Sequence, residues 1–388
     1  MQKLAIISTH PIQYNAPFFR ILAERKKIEI KVFYTWSQSK EGIKYDPGFG
    51  KNIEWDIPLL EGYNYTFVEN IATNPGSHHF AGIQNPNLIK EIKNWGAEAV
   101  LVYGWNFKSH LATIRYFKNK IPVFFRGDST LIDEKLNLKK LLRRVILHYV
   151  YKFVDVAFYA GLANKLYFKA HGLNNSQLAL MPHAVDNIRF RGNKNTMLAA
   201  KKLRFKSDIP IEALVFLFVG KLDNNKNVCL LIEAFIKLQN YNNYLLIAGT
   251  GSEETKLKNM AMYQPNIKFL GFLNQAQIPV AYAVADVFVL PSKSETWGLS
   301  INEAMAAGKA IVVSSSCGAV FDLLKDKKNG LVFQNNNLIS ITKCLKFMSE
   351  NRDACLKMGI ESEAIIKQYT YKHCCEVVEN TLNNFYLT

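Results

Sequence analysis

The chain has 388 residues, of which 49% are apolar and 21% are charged, and its formal net charge is +16. A chain of this length and composition can bury a core and form about two domains of roughly 100–200 residues, which excludes a disordered protein. Its longest apolar runs, such as 213–219, are far shorter than the ~20 residues that cross a bilayer, so we expect no transmembrane helix.

The positive charge is concentrated in the first half of the sequence. Residues 1–195 contain 27 Lys and Arg against 15 Asp and Glu, a net charge of +12, whereas the remaining residues contain 21 against 17, a net charge of +4. This asymmetry indicates an anionic partner for the first half. Charge alone leaves that partner open between nucleic acid, an acidic membrane and a phosphorylated substrate.

In the first half, short apolar runs alternate with helical patterns. These runs predict buried strands at Leu4–Ile7, Ile30–Tyr34, Ala99–Tyr103, Val123–Phe125 and Val156–Tyr159, and the patterns predict helices at Ala16–Glu24, Asn87–Asn94 and Lys108–Lys118. The segment 38–67 is rich in Gly, Pro and aromatic residues and indicates a long loop. The alternation predicts an α/β domain over residues 1–195.

The most basic segment, residues 135–152, combines cations with apolar residues at helical spacing. Its apolar positions are Leu138, Leu141, Leu142, Val145, Ile146 and Tyr149. This pattern predicts a basic amphipathic helix. Two interpretations stay open: a domain helix with a solvated basic face, or a helix that docks on an anionic membrane surface. We expect no nucleic acid partner, because no recognised nucleic-acid-binding motif accompanies the charge.

From about residue 213 the alternation of apolar runs and helical patterns begins again. It predicts strands at Val215–Val219, Tyr244–Ala248, Ile267–Leu270, Val287–Leu290, Ala310–Ser314 and Gly330–Phe333. The polar stretch Arg189–Ser207, rich in Lys, Arg and Asn, is predicted to be the linker. The chain is therefore expected to form two parallel-sheet domains, at 1–195 and 196–368.

The cysteines and the N-terminus indicate where the protein works. All six cysteines lie in the second half, with no C-x-x-C pair and no matching His spacing. The N-terminal residues have too few apolar positions for a signal peptide. We therefore expect reduced thiols, no metal site and a cytoplasmic location.

Two carboxylates eight residues apart follow the strand predicted at Val287–Leu290. Glu295 is expected in the loop at the carboxyl edge of the sheet, where ligands bind, and Glu303 about one turn into the next helix. Gly298 permits close approach of the backbone, and the N–H groups of residues 298–300 would form an anion site at the helix start. The pattern fits a phosphate flanked by two hydroxyl-bearing groups, such as a sugar and a ribose.

A second element follows the strand predicted at Val215–Val219. Gly220 permits a tight turn after that strand. Lys221 and Lys226 can reach toward a diphosphate as positive charges. Such charges could stabilise a departing nucleoside diphosphate.

Together these segments resemble the retaining glycosyltransferases of family 4. The resemblance runs through the second half in order: Gly220-Lys221 with Lys226, then 246–251, 269–272, 285–292, the Glu295/Glu303 pair and 329–333. The segment Thr9–Arg20 is similar to a subgroup found among bacterial polysaccharide and lipopolysaccharide assembly enzymes. The resemblance implies the α/β GT-B fold: two Rossmann-like parallel-sheet domains that face a central cleft. A C-terminal helix, residues 369–388, would cross back to the N-terminal domain.

The resemblance also implies a role for individual residues. Lys221 and Lys226 would neutralise the donor diphosphate, Glu303 would accept hydrogen bonds from the ribose, and Glu295 would contact the transferred sugar. The other donor-binding residues would be Gly220, Trp297, Gly298, Leu299 and Ser300 around the sugar and phosphates, and Leu270 and Phe272 beside the base. We expect no cofactor beyond the nucleotide-diphosphate sugar as co-substrate, and no metal, because no D-x-D motif stands beside a strand.

The sequence departs from the family pattern at two places. Asn227 follows Lys226 where the family usually has Gly. The family also often has a His on the N-terminal domain, after a strand of the type predicted at Val123–Phe125. The candidates for that place here are Asp128, Arg126 and His10, of which we expect Asp128 or His10 to be catalytic.

We therefore expect a retaining, metal-independent hexosyltransferase. It would move a sugar from a nucleotide-diphosphate sugar to a saccharide or lipid-linked acceptor in bacterial surface polysaccharide biosynthesis. It would work in the cytoplasm and, if the helix at 135–152 docks on an anionic membrane, as a peripheral protein on the inner face of the plasma membrane. The alternatives are a catalytically degenerate nucleotide-sugar or membrane-binding protein of the same fold, and a sugar-nucleotide epimerase or hydrolase.

Overall fold

The computed structural model describes residues 1–36, 43–46, 49–132, 134 and 138–387. The chain divides into two compact units. The first unit comprises Met1–Lys44, Ile57–His183 and Tyr371–Thr388, and the second comprises Tyr45–Asp56 and Ala184–Thr370.

The strands coincide closely with the apolar runs of the sequence. They are β1 Lys3–Ser8, β2 Glu29–Tyr34, β3 Ile43–Asp46, β4 Lys51–Glu54, β5 Asn64–Phe67, β6 Ala99–Tyr103, β7 Val123–Arg126, β8 Val156–Tyr159, β9 Leu178–Leu180, β10 Leu214–Val219, β11 Asn243–Ala248, β12 Ile267–Gly271, β13 Val287–Leu290, β14 Ala310–Ser314 and β15 Gly330–Phe333. Central strands such as β10 are buried along their whole length. Strands covered by helices on both faces are nearly continuous apolar runs in the sequence, which is why these strands could be predicted from it.

Each unit is built on one parallel sheet. The first sheet has the order β5-β2-β1-β6-β7-β8-β9, and the second has the order β12-β11-β10-β13-β14-β15. Strands β3 and β4 pair with each other in a separate two-stranded sheet. The registers that join neighbouring strands of both large sheets are all parallel.

Helices lie between most successive strands, and three more follow the last strand, β15. They are α1 Ala16–Glu24, α2 Leu88–Trp95, α3 Lys108–Phe117, α4 Leu138–Tyr151, α5 Leu162–Ala170, α6 Asn187–Arg191, α7 Lys194–Lys206, α8 Val228–Ile236, α9 Glu254–Met260, α10 Ile278–Val284, α11 Leu299–Ala306, α12 Val320–Leu323, α13 Leu338–Glu350, α14 Arg352–Ile366 and α15 Tyr371–Leu387. No helix among the described residues has the length and apolarity that crossing a membrane demands.

The polar stretch predicted to be a linker is mostly helical. Residues 189–207 fall largely on α6 and α7, which belong to the second unit. Asn193 caps α7 by accepting a hydrogen bond from the backbone N–H of Thr196 at 3.0 Å. The stretch is polar because most residues of α7 face solvent, with only Ala200 fully buried.

The segment 38–67, predicted to be a long loop, contains three strands, β3 to β5, and part of it belongs to the second unit. Asn274 donates a hydrogen bond to the carbonyl of Glu54 at 2.7 Å. The carboxylate of Asp56 accepts from the backbone N–H of Ala276, with both oxygens at 3.1 Å. Residues 37–42 and 47–48 lie outside the described residues.

The C-terminal helix α15 is fixed to α1 in the first unit by a buried ion pair. Arg25 donates from Nε and one terminal nitrogen to the two carboxylate oxygens of Glu379, at 2.6 and 2.8 Å. Glu379 is only 1% exposed. Burial alone would raise the pKa of Glu379, but the hydrogen bonds and charge of Arg25 outweigh burial, and the pKa lies below its ordinary value.

We expect Arg25→Ala to lower the free energy of unfolding by roughly 3 kcal/mol at pH 7, because it leaves a buried carboxylate without its bidentate partner. A lowered pKa in the folded state stabilises the fold above the unfolded pKa of about 4.3, and that contribution is lost as the pH falls through the folded value. Urea denaturation of both proteins should therefore show the difference shrinking below about pH 4.

The matched control is Glu376→Gln, whose exposed carboxylate lies 3.8 Å from Arg25. Such a surface pair contributes little, so this variant should stay within about 0.5 kcal/mol of the wild type. Equal losses from the two variants would show that the pair with Glu379 has no special weight.

Candidate functional site

The residues predicted to bind the donor lie at one edge of the second sheet. Strands β12, β11, β10 and β13 are consecutive neighbours and run in the same direction, so their carboxyl ends meet at this edge. The loops that leave it begin at Gly220 after β10, Gly249 after β11, Phe272 after β12 and Pro291 after β13. In open parallel sheets this is the edge where ligands bind.

Lys226 and Glu295 form an ion pair at this edge. The ammonium group of Lys226 contacts Oε1 of Glu295, and the hydroxyl of Ser292 donates to the same oxygen at 3.1 Å. Both side chains of the pair are largely buried, with 21% and 14% exposed. The structure therefore brings together a lysine and a carboxylate that are 69 positions apart in the chain.

Two further hydrogen bonds hold these loops side by side. The backbone N–H of Lys293 donates to the carbonyl of Asn225, and the amide of Asn225 donates to the carbonyl of Ser294, each at 2.8 Å. The loops after β10 and β13 are thus connected through main-chain atoms as well as through the ion pair.

Gly298 begins α11 in a conformation that other residues rarely adopt. Its φ is +96°, and a Cβ atom there would lie 3.0 Å from the side chain of Leu290. The ring of Trp297 is buried, and its N–H donates to Oδ1 of Asn302 at 2.7 Å. Because the ring of Trp297 is buried, the groups of this turn that could contact an anion are backbone N–H groups.

Glu303, the second predicted acid, is 2% exposed on α11. The hydroxyl of Tyr282, on α10, donates to its Oε2 at 2.9 Å. Tyr282 was not among the predicted site residues, because the residues around it in α10 are mostly apolar. A tyrosine in a buried helix usually has a hydrogen-bond partner, and that is the one signal the sequence offered.

Phe49, which was not predicted to lie at this site, contacts both Lys221 and Phe272. The ammonium group of Lys221 lies 4.9 Å from the ring centroid of Phe49, and Phe49 packs edge-on against Phe272 with centroids 5.2 Å apart. The hydroxyl of Thr250 donates to the carbonyl of Phe49 at 3.3 Å. Phe49 lies in residues 45–56, the part of the segment 38–67 that belongs to the second unit.

Gly220 and Leu270 occupy the ends of two strands at this edge. The backbone N–H of Gly220 donates to the carbonyl of Ala248 at 3.0 Å. The carbonyl of Gly220 passes so close to Gly249 that a Cβ atom there would lie 1.8 Å away, which only glycine permits. Leu270 is half-buried on β12, one residue before Gly271, whose carbonyl accepts from Gly249 at 2.7 Å.

Asn227 fulfils the geometric role of the glycine that it replaces in the family pattern. Its φ of +55° and ψ of +38° place it in the left-handed region, directly before α8. Asparagine tolerates this region better than other residues with a side chain. The turn that carries Lys226 is therefore compatible with asparagine in place of glycine at position 227.

We expect Asn227→Ala to lower the free energy of unfolding by about 1 kcal/mol, because alanine pays the steric cost of the left-handed conformation. Asn227→Gly should remain within a few tenths of a kcal/mol of the wild type, since glycine adopts this conformation freely. Chemical denaturation of the three proteins measures both values. If alanine proved as stable as glycine, the left-handed turn would not be the constraint at this position.

His10 and Asp128, the candidates for the N-terminal catalytic residue, belong to the first unit. His10 Nδ1 lies 2.9 Å from the hydroxyl of Thr9, and its ring packs edge-on against Trp36 with centroids 5.5 Å apart. Asp128 is exposed two residues after β7. Both follow strands at the carboxyl edge of the first sheet.

The side chain of Arg126 forms hydrogen bonds inside the first unit. Its guanidinium is buried and donates to the main-chain carbonyls of Phe158 and Met181. Burial lowers its pKa from the ordinary value. Asp128 presents its side chain to solvent, whereas Arg126, the last residue of β7, does not.

The arrangement in the second unit has the chemistry to bind a phosphorylated diol. Lys221 and Lys226 supply positive charge, the start of α11 supplies N–H groups, and Glu295 and Glu303 supply acceptors for hydroxyl groups. Within the described ranges, no group of three or more His, Cys, Asp and Glu side chains is placed to hold a metal ion.

Helix α4 exposes the apolar face that the sequence predicted. Its exposed large apolar side chains are Leu141, Leu142, Val145, Ile146 and Tyr149, each 46–63% accessible. Leu147, Val150 and Tyr151 on the opposite side are buried in the core of the first unit. Residues 135–137 of the predicted helix, and the side chains of residues 138 and 139, lie outside the described part of the chain.

Comparison with known proteins finds glycosyltransferases that are similar to this chain in sequence. Residues 199–372 match the family described as glycosyl transferases group 1. The chain is 36% identical over 148 residues to an uncharacterized glycosyltransferase of Methanocaldococcus jannaschii, covering 36% of this chain and 37% of that protein. It is 28% identical over 224 residues to the alpha-monoglucosyldiacylglycerol synthase of Acholeplasma laidlawii, covering 55% of each. The chain thus spans about half, or less, of the length of these curated relatives.

The fold is shared over nearly the whole chain with HepE of Anabaena, whose crystal structure contains UDP and glucose. The TM-score is 0.73 at 18% identity, with 99% of this chain and 100% of that chain covered. The predicted fold class, α/β GT-B with two Rossmann-like parallel-sheet domains, is confirmed. The resemblance to glycosyltransferases is also confirmed, whereas the roles of the individual site residues stay predictions.

Proposed function

We propose that this protein, whose residues 199–372 match the family described as glycosyl transferases group 1, transfers a sugar from a nucleotide-diphosphate sugar with retention of configuration. The observation that carries the proposal is the convergence of Lys226, Glu295 and the start of α11 at one sheet edge, with Glu303 on that helix. The acceptor would be a saccharide or a lipid-linked saccharide of bacterial surface polysaccharide biosynthesis.

The ion pair between Lys226 and Glu295 supports a site in which partners are exchanged. A diphosphate carries more negative charge than one carboxylate, so it would attract the ammonium group of Lys226. Glu295 would then be available to accept hydrogen bonds from hydroxyl groups of the sugar. Lys221, on the same loop, would add a second positive charge to the diphosphate.

The transfer step needs no resident metal in this scheme. The bond between C1 and the diphosphate oxygen breaks, and the acceptor hydroxyl oxygen bonds to C1 on the same face. The hydroxyl proton passes to the leaving phosphate. Lys221, Lys226 and the N–H groups that begin α11 would stabilise the charge that develops on the leaving group.

Three observations support the choice of substrates. HepE, which shares the fold, is known with UDP and glucose, so uridine nucleotides are the first donors to test. The name of the Acholeplasma laidlawii relative describes a glycolipid product, which favours an acceptor that carries lipid. The Thr9–Arg20 segment, which is similar to polysaccharide-assembly enzymes, favours a saccharide on that lipid.

We expect a UDP-, GDP- or ADP-sugar to raise the melting temperature of the wild type, because a ligand that binds only the folded state stabilises it. Lys226→Ala and Glu303→Ala should each weaken that binding by at least about tenfold, since each loses a hydrogen bond to a charged group. Thermal unfolding against a donor titration measures both effects. Transfer activity should persist in a chelator.

The matched control is Lys256→Ala, an exposed lysine of the second unit that pairs with Glu253 at 2.9 Å. This variant should bind the donor as the wild type does. A wild type that responds to no nucleotide sugar, or a Lys226→Ala variant that binds normally, would contradict the proposed donor site.

We further propose that α4 attaches the protein to an anionic membrane surface on the cytoplasmic side. A row of exposed apolar side chains, including Leu142 and Val145, supports insertion between headgroups. Lys140, Arg143 and Lys152 lie on or beside the same helix and would attract acidic lipid. The net charge of +12 in the first half of the chain favours the same partner.

We expect the triple variant Lys140→Glu, Arg143→Glu and Lys152→Glu to bind vesicles of phosphatidylglycerol at least about tenfold more weakly at low salt, since each basic residue near an acidic surface contributes about 1 kcal/mol. Vesicle sedimentation measures the binding. Leu142→Ser with Val145→Ser should also weaken it, through lost apolar burial.

A variant with the same change in charge serves as control: Lys201→Glu, Lys202→Glu and Lys206→Glu on α7, where all three side chains are exposed. It should retain vesicle binding. Equal loss in both triple variants would assign the binding to net charge and would refute a specific role for α4.

A further inference from the structure

Tyr282 lies where a buried acid requires a hydrogen-bond donor. Its hydroxyl donates to Oε2 of Glu303 at 2.9 Å and lies 3.2 Å from the carbonyl oxygen of Ser300. Tyr282 itself is fully buried. One hydroxyl therefore contacts both the first turn of α11 and the carboxylate on its second turn.

The ring of Tyr282 is fixed by aromatic neighbours. Phe190 on α6 packs edge-on against it with centroids 5.7 Å apart, and Phe288 on β13 lies at 5.8 Å in a tilted arrangement. Both phenylalanines are also fully buried. Because the ring cannot change its rotamer without displacing these neighbours, the direction of its hydroxyl is fixed.

A carboxylate that is 2% exposed must be hydrogen-bonded to remain charged at little cost. A hydroxyl that donates to a carboxylate favours its charged form and also defines which way its second oxygen points. The contact with Tyr282 therefore fixes the orientation of Glu303. That orientation does not follow from the spacing of Glu295 and Glu303.

We infer that Tyr282 is a positioning residue of the donor site: its hydroxyl holds the Glu303 carboxylate in the orientation that receives the ribose hydroxyls of a nucleotide. The inference rests on the proposed function, in which Glu303 binds the ribose. Tyr282 does not itself touch the nucleotide. It determines how strongly the site distinguishes a ribose from a 2′-deoxyribose.

The test compares affinities for a nucleoside diphosphate and its 2′-deoxy counterpart, taking UDP, GDP, ADP and CDP in turn. The wild type should prefer the ribose form by about tenfold for the nucleotide it binds. Tyr282→Phe removes one oxygen and keeps the ring, and should reduce that preference to about threefold or less. Its affinity for the 2′-deoxy form, which keeps only the 3′-hydroxyl, should fall less than its affinity for the ribose form.

Two further variants separate positioning from packing. Tyr282→Met also lacks the hydroxyl and fills the space of the ring with a flexible side chain. It should show the same reduced preference for ribose, and it keeps the test possible if Tyr282→Phe does not fold. Phe235→Leu alters a buried ring that packs against Phe216 elsewhere in the same unit. It should lower the melting temperature and leave the ribose preference unchanged.

The outcomes distinguish the inference from the proposed function. If the wild type binds a ribonucleotide with a clear ribose preference and both Tyr282 variants keep that preference, Tyr282 has no positioning role and the proposed function stands. A preference that falls equally in Phe235→Leu would also overturn the inference. A wild type that binds no nucleoside diphosphate would overturn both.

Discussion

The common direction of the six strands in the second sheet is the constraint on which the candidate site depends. It places the loops after β10, β11, β12 and β13 at one edge, so side chains far apart in sequence meet there. The ion pair of Lys226 with Glu295 spans 69 positions, yet it joins loops that follow adjacent strands. An antiparallel rearrangement of any of these strands would move its loop to the opposite edge and dismantle the site.

The two acids at this edge are held in different ways, and the difference suits different tasks. Glu295 is partly accessible and is paired with a lysine that an anion can attract away. Glu303 is buried beneath the surface of α11 and is bonded to the hydroxyl of a tyrosine that cannot move. A fixed acceptor suits a ribose, which is not altered in the transfer. An acceptor with an exchangeable partner suits the transferred sugar, whose surroundings change as its bond to phosphate breaks.

Much of the fold could be predicted because the strands are buried on both faces. The bounds of β6, β8, β13, β14 and β15 were predicted to the residue, and helix α1 as well. The stretch 189–207 was wrongly predicted to be a linker because surface helices such as α7 share the polar composition of loops. Tyr282 and Phe49 were missed for another reason: their roles arise from contacts across the fold, with Glu303 and with Lys221, that no local pattern records.

Phe49 shows that residues outside the matched family segment contribute to the carboxyl edge of the second sheet. The matched family segment, 199–372, contains Lys221, Phe272 and both acids, but not Phe49. The aromatic ring that contacts Lys221 and Phe272 comes from the segment 45–56, well over a hundred residues earlier in the chain. Hydrogen bonds from Thr250, Asn274 and Ala276 to that segment fix it to the loops after β11 and β12. The surroundings of the predicted diphosphate and base positions therefore depend on two separate parts of the sequence, and resemblance in the family segment alone describes only one of them.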